Sequence, residues 1–211
     1  MRTRLAIFLS LLIGSNIATG LLVQKTLRPL IFAQADTADI LIRIRNLNGP
    51  FIVILGDSIT ASAHLPESVC GLPLVNVGKG GGRASTFISF AEDMSAARLI
   101  PALTIVALGV NDAISEYHSD FSAAYAMLLN HLPDPLALAT PAPVDRSAKI
   151  DFGVLQSIDG IIRSYARARN AMLIDLSKLP LQTSDGLHPT TNSYVLWNAA
   201  VVEGIERAMK C

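Results

Sequence analysis

Five short, almost uninterrupted apolar runs constrain this chain most strongly: residues 51–55, 74–77, 103–108, 136–139 and 172–176. A strand with apolar side chains on both faces must be covered on both faces, as in a parallel sheet held between two helical layers. The segments between the runs carry the helical period. Phe87, Phe90, Ala91 and Met94 fall on one helical face, as do Phe121, Ala124, Tyr125 and Leu128, and again Phe152, Leu155, Ile158, Ile162 and Tyr165. A last helix is expected after Pro189, turning Tyr194, Trp197, Val201 and Ile205 inward. Alternating strands and helices predict a doubly wound, three-layer α/β/α sandwich on a five-stranded parallel sheet. In such sheets ligands gather beyond the carboxyl ends of the strands, where Ser58, Gly78 and Asn111 fall.

The chain has 211 residues, 51% of them hydrophobic, enough for one domain with a sizeable core. A formal net charge of zero lacks the basic footprint of a nucleic-acid binder, so nucleic acid is not expected as a partner. Residues 5–23 contain no charged side chain and follow Arg2 and Arg4, a pattern shared by signal anchors and cleaved signal peptides. The expected organisation is therefore 1–24 as signal anchor or signal peptide, 25–49 as juxtamembrane connector, and 50–211 as the folded domain. Length favours an anchor. The small residues Ala33-Gln34-Ala35 favour cleavage, and a buried helix is the third alternative. An anchor and a signal peptide both export the domain, membrane-tethered in one case and released in the other.

Cys70 and Cys211 are compatible with a disulfide in an oxidising compartment, but spacing does not show that they meet. Two cysteines and four scattered histidines make no zinc-like cluster, and no cofactor motif is present. Gly80-Gly81-Gly82 is neither a P-loop nor a dinucleotide fingerprint. His64, His118 and His131 have no partners at informative spacing and read as surface or locally bonded side chains.

Chemistry concentrates in Gly56-Asp57-Ser58-Ile59-Thr60 and Asp185-Gly186-Leu187-His188-Pro189. A serine hydroxyl attacks an acyl carbon only with a base in hydrogen-bond reach and a carboxylate to orient that base, roles open to Ser58, His188 and Asp185. Each block also has an ordinary use, Ser58 as a helix cap and Asp185 as a turn former. Donors for a developing oxyanion can come from the Ser58 N–H, the Gly78 N–H and the Asn111 amide. Asp57 and Asp112 are expected to support the site. Lys79 and Arg83 beside the glycine run would favour an anionic substrate unless they are simply solvated. The loop 140–145 either walls an acyl site or is purely structural.

Together, Gly-Asp-Ser-Ile-Thr, Asn-Val-Gly, Gly-Val-Asn-Asp and Asp-Gly-Leu-His-Pro resemble, in order, the four blocks of the SGNH, or GDSL-type, hydrolases. The resemblance covers residue 51 to the end of the chain. It implies a flavodoxin-like sandwich, no metal, a Ser58 nucleophile, a His188 base, an orienting Asp185, and oxyanion donors at Ser58, Gly78 and Asn111. The expected activity is hydrolysis of lipid, small acyl or acetyl carboxylic esters through an acyl-enzyme. The alternatives are an envelope-carbohydrate O-acetyl esterase or acyltransferase, and a noncatalytic membrane-tethered binding protein of the same fold.

Overall fold

The computed structural model describes residues 37–116, 120–146 and 149–211. The chain runs through helix α1 (Thr37–Arg45), strand β1 (Ile52–Gly56), helix α2 (Ser58–Ala61), strands β2 (Ser68–Val69) and β3 (Leu72–Gly78), and helix α3 (Ile88–Ala96). It continues through β4 (Leu103–Ala107), α4 (Phe121–His131), β5 (Leu136–Ala139), α5 (Phe152–Ala168), β6 (Met172–Ile174) and α6 (Thr191–Met209). Short 3-10 turns, Ala84–Phe87, Asn111–Ala113 and Leu176–Lys178, follow β3, β4 and β6.

The sheet order is β2-β3-β1-β4-β5-β6. The five apolar runs are its five parallel strands, with β1 an inner strand pairing β3 on one side and β4 on the other. Ile52, Val53, Ile54 and Leu55 are each 0% exposed, which is why β1 reads as apolar on both faces. The expectation of five strands needs one correction. A sixth, β2, pairs antiparallel with β3 at the sheet edge. With two residues it is too short for a periodic signal. Its hairpin turns through Cys70 and Gly71, both at positive φ, as a two-residue turn matched to strand twist requires.

Helices α3, α4 and α5 pack in sequence along one face. Helices α2 and α6 cover the other, where Trp197 meets Ile59 and Thr60 around a small cavity. Trp197, Val201 and Ile205 are buried as expected, and Gly204 lets α6 approach the Ile174 side chain. On α5 the prediction holds only for the later turns. Ile158 and Ile162 are buried, but Phe152 is 38% exposed and Leu155 half-buried, because the first turns of α5 stand beyond the end of β5.

Helix α1 lies within the stretch 25–49 that was expected to be a connector. Helix α1 buries Ile40, Leu41 and Ile44, so the second half of the stretch expected to be a connector is part of the core. The proposed anchor or signal peptide at 1–24 lies outside the described residues. Among the described residues no helix is long and apolar enough to cross a membrane. Cys70, in the β2–β3 turn, and Cys211, after α6, form a disulfide with Cα atoms 5.8 Å apart.

Candidate active site

Local geometry explains why Ser58 stands clear at the end of β1. A β-carbon on Gly56 would lie 1.9 Å from Thr60 Oγ1, so only glycine lets α2 fold back directly after the strand. Asp57 caps that helix, its Oδ1 accepting the Ile59 N–H at 2.9 Å. Ser58 then occupies the first helical position, where the backbone N–H has no acceptor within the helix. Burial pushes the Asp57 carboxyl up to about 6, against the opposing pull of the Ile59 and Thr60 N–H groups and of His188, with the Asp112 charge adding to the rise.

Ser58 Oγ lies 2.8 Å from His188 Nε2 although 130 residues separate them in sequence. On the other side of the ring, His188 Nδ1 is 2.7 Å from Asp185 Oδ2. Asp185 Oδ1 accepts the backbone N–H groups of His188 at 2.8 Å and Leu187 at 3.0 Å. One carboxylate therefore shapes the turn and orients the imidazole. These bonds, led by the His188 N–H, hold the Asp185 carboxyl down at about 2. An ionised Asp185 accepts a hydrogen bond from Nδ1–H, which leaves Nε2 as the acceptor facing Ser58. The turn is fastened from outside as well. Asp145 N–H donates to Gly186 O at 2.8 Å, Thr183 Oγ1 donates to Asp145 Oδ2, and Ser184 N–H donates to His188 O at 2.8 Å.

Of the expected oxyanion donors, Gly78 requires correction. Its N–H donates to Asn76 Oδ1 at 2.8 Å and is not open to a ligand. Its lack of a side chain serves packing instead, since a β-carbon there would lie 2.3 Å from the Ala61 nitrogen. Asn76, unassigned by sequence reasoning although it stands inside one of the quoted blocks, also donates through Nδ2 to Thr60 O at 2.8 Å. It rivets the end of β3 to the helix that carries Ser58.

Asn111 is buried beyond the end of β4 and donates through Nδ2 to Gly82 O at 3.1 Å. That bond fixes the amide and leaves its second N–H. Asp112 Oδ2 accepts the Ala84 N–H at 3.3 Å, so neighbouring side chains clamp both sides of Arg83. The glycine run is a tight turn: Lys79 N–H bonds Gly56 O at 2.9 Å and Gly82 N–H bonds Lys79 O at 2.8 Å. At its exposed tip Gly81 takes a φ of +67° and its N–H makes no hydrogen bond among the described residues.

The remaining histidines stand apart. His131 meets Glu92 at 3.5 Å, the His64 carbonyl accepts from Asn198, and His118 lies outside the described residues. Among the described residues no three His, Cys, Asp or Glu side chains are grouped to hold a metal.

Solved structures similar to this chain place the fold. A GDSL-like lipase from Bacteroides thetaiotaomicron superposes with a TM-score of 0.66 at 19% identity, covering 82% of this chain and 98% of its own. The chain has the SGNH, or GDSL-type, hydrolase fold. An aryl esterase from M. smegmatis shares this fold with a TM-score of 0.63 at 15% identity, over 76% of this chain and 100% of the esterase. A carbohydrate acetylesterase from Sinorhizobium meliloti does so with a TM-score of 0.61 at 14% identity, over 75% and 99%. No protein-family model and no curated protein matches the sequence.

Proposed function

We propose that this protein is a serine esterase that hydrolyses carboxylic esters through an acyl-enzyme on Ser58. The observation that carries the reading is the continuous chain from Ser58 Oγ to His188 Nε2 at 2.8 Å and from His188 Nδ1 to Asp185 Oδ2 at 2.7 Å, assembled at the ends of parallel strands. In the first half-reaction Ser58 Oγ bonds to the ester carbonyl carbon while His188 Nε2 takes its proton. Collapse breaks the bond to the alcohol oxygen, and His188 returns the proton to the departing alcohol. A water then attacks the acyl carbon with His188 again as base, releasing the acid and restoring the Ser58 hydroxyl.

The oxyanion is stabilised by the Ser58 N–H and the free N–H of the Asn111 amide, with the Gly81 N–H in the role first expected of Gly78. Asp185 holds the tautomer and stabilises the imidazolium. The domain acts outside the cytoplasm, tethered or released by residues 5–23. The Cys70–Cys211 disulfide supports this placement, since such bonds persist in oxidising compartments.

Ser58→Ala should lower kcat on a small aryl ester by at least about a thousandfold. A fluorophosphonate probe should label the wild-type protein, fail on Ser58→Ala and react slowly with His188→Ala. A mild loss of rate would refute Ser58 as the nucleophile, and absent turnover together with absent labelling would replace the enzyme reading by that of a noncatalytic binding protein.

A further inference from the structure

We propose that a cavity between the 140–146 loop and the first two turns of α5 receives the acyl portion of the ester and selects chains of medium length, about six to ten carbons. The cavity measures about 280 Å³. Pro141 and Val144 form one wall and Phe152 and Leu155 the other, with Gln156 and Ser177 at the polar end. Of the α5 apolar face, Phe152 is exposed and Leu155 is only partly buried against the core, and both line this cavity.

The wall is preformed. Pro141 and Pro143 restrict the backbone, the Ser177 N–H donates to Thr140 Oγ1 at 3.0 Å, and the Asp145 N–H donates to Gly186 O at 2.8 Å. Pro141 and Ala142 also line the small internal cavity beside Asp57, so this segment borders both cavities.

Sheet register sets the reach. Gly56 pairs with Ala107, and the register Val106 to Leu138 continues to bring Ala107 beside Ala139. The ends of β1 and β5 thus stand in one row with only β4 between, and Ser58 and Pro141 each lie two residues beyond them. Two interstrand steps make that separation about 10 Å. At roughly 1.2 Å per bond, an acetyl group stops short and a chain of about six to eight carbons enters.

Direction assigns the acyl rather than the alcohol portion. The alcohol oxygen must face His188 Nε2 to receive its proton, and His188 immediately precedes α6, on one side of the sheet. The cavity lies on the opposite, α5 side, and the start of α5 is tied to the Asn111 turn by the Asp151 N–H, which Ala113 O accepts at 2.8 Å. The far end explains a limit on length. Asp159 also lines the cavity and is ion-paired with Arg163 at 2.7 Å, so a methyl terminus pressed past Gln156 and Ser177 would desolvate polar groups without return.

This inference rests on the esterase reading, and the test separates the two. Wild-type kcat/KM is measured on 4-nitrophenyl esters from acetyl to dodecanoyl. The expected profile rises about fourfold per methylene from roughly six carbons and stops near ten. Gln156→Trp, at an exposed helical position, should lower the octanoyl value at least tenfold while leaving the acetyl value unchanged; Leu155→Ala should move the optimum to longer chains. A flat profile, an acetyl optimum, or equal losses on both chain lengths overturns the inference and leaves the esterase standing. If no ester is cleaved and no probe labels Ser58, the esterase reading fails by itself. The cavity is then judged by calorimetry of octanoate binding to Ser58→Ala, which should vanish with Gln156→Trp added. Absent binding, or binding indifferent to that substitution, rejects it.

Discussion

Gly78→Ala decides whether this glycine serves chemistry through its amide or architecture through its missing side chain. An added β-carbon would lie 2.3 Å from the Ala61 nitrogen, 2.6 Å from Ala61 Cα and 2.7 Å from the Thr60 carbonyl carbon. All three are backbone atoms of α2, so no rotamer change can relieve the overlap. Ordinary contact begins at 3.4 Å, which means that α2 must withdraw from β3 by about 1 Å. Overpacking of this kind costs about 1–3 kcal/mol of stability. The withdrawal also stretches the Asn76 rivet to Thr60 O and moves Ser58, carried on the same helix, away from His188. Misplacing a reacting group by about 1 Å costs on the order of 100-fold in rate. Alanine keeps the N–H, so a purely chemical role would leave activity intact. Urea denaturation should show the stability loss, and kcat on an aryl ester the rate loss. Wild-type stability with wild-type kcat would refute the packing argument.

Asp185→Asn presents an amide to His188 Nδ1 at a 2.7 Å contact, which favours the tautomer with the proton on Nε2; kcat should fall about 10³ to 10⁴-fold with little change in fold by circular dichroism. Asp57, raised by burial from 3.8 to about 6, favours its protonated form in the folded state, so its contribution is fully present below pH 3.8 and is lost as pH rises towards 6. Asp57→Asn keeps an acceptor for the Ile59 N–H and should therefore gain on wild type by up to about 3 kcal/mol between pH 4 and pH 7; a pH-independent difference in urea midpoints would contradict this. Replacing Cys70 and Cys211 together by serine opens a cross-link spanning 141 residues and should cost 2 kcal/mol or more against a chain-entropy ceiling of about 5 kcal/mol. An unchanged midpoint in the double variant would show that the bridge does not stabilise the fold.

The parallel strands were legible because burial on both faces leaves an unalternating pattern, and the Ser58, His188 and Asp185 juxtaposition because each residue sits beside a turn or a strand end. Gly78 was misjudged for a specific reason. A glycine at a strand end serves equally to expose an amide or to admit a neighbouring helix, and only the return of the Asn76 side chain to the Gly78 N–H separates the two. Helix α1 showed its amphipathic spacing in Ile40, Leu41 and Ile44, but nothing local states what such a face covers. Phe152 likewise kept the helical period of its buried neighbours while standing past the end of the sheet. The disulfide joins residues 141 positions apart, a separation at which spacing says nothing about distance.

Because the imidazole and its carboxylate lie on the turn leading into α6, a nascent polypeptide leaves the Ser58 hydroxyl without its histidine partner until 130 further residues have been made. Any truncation before Asp185 yields a serine with no means of giving up its proton. Under the proposed esterase reading, hydrolytic power would thus arrive only once Asp185 and His188 have joined the chain.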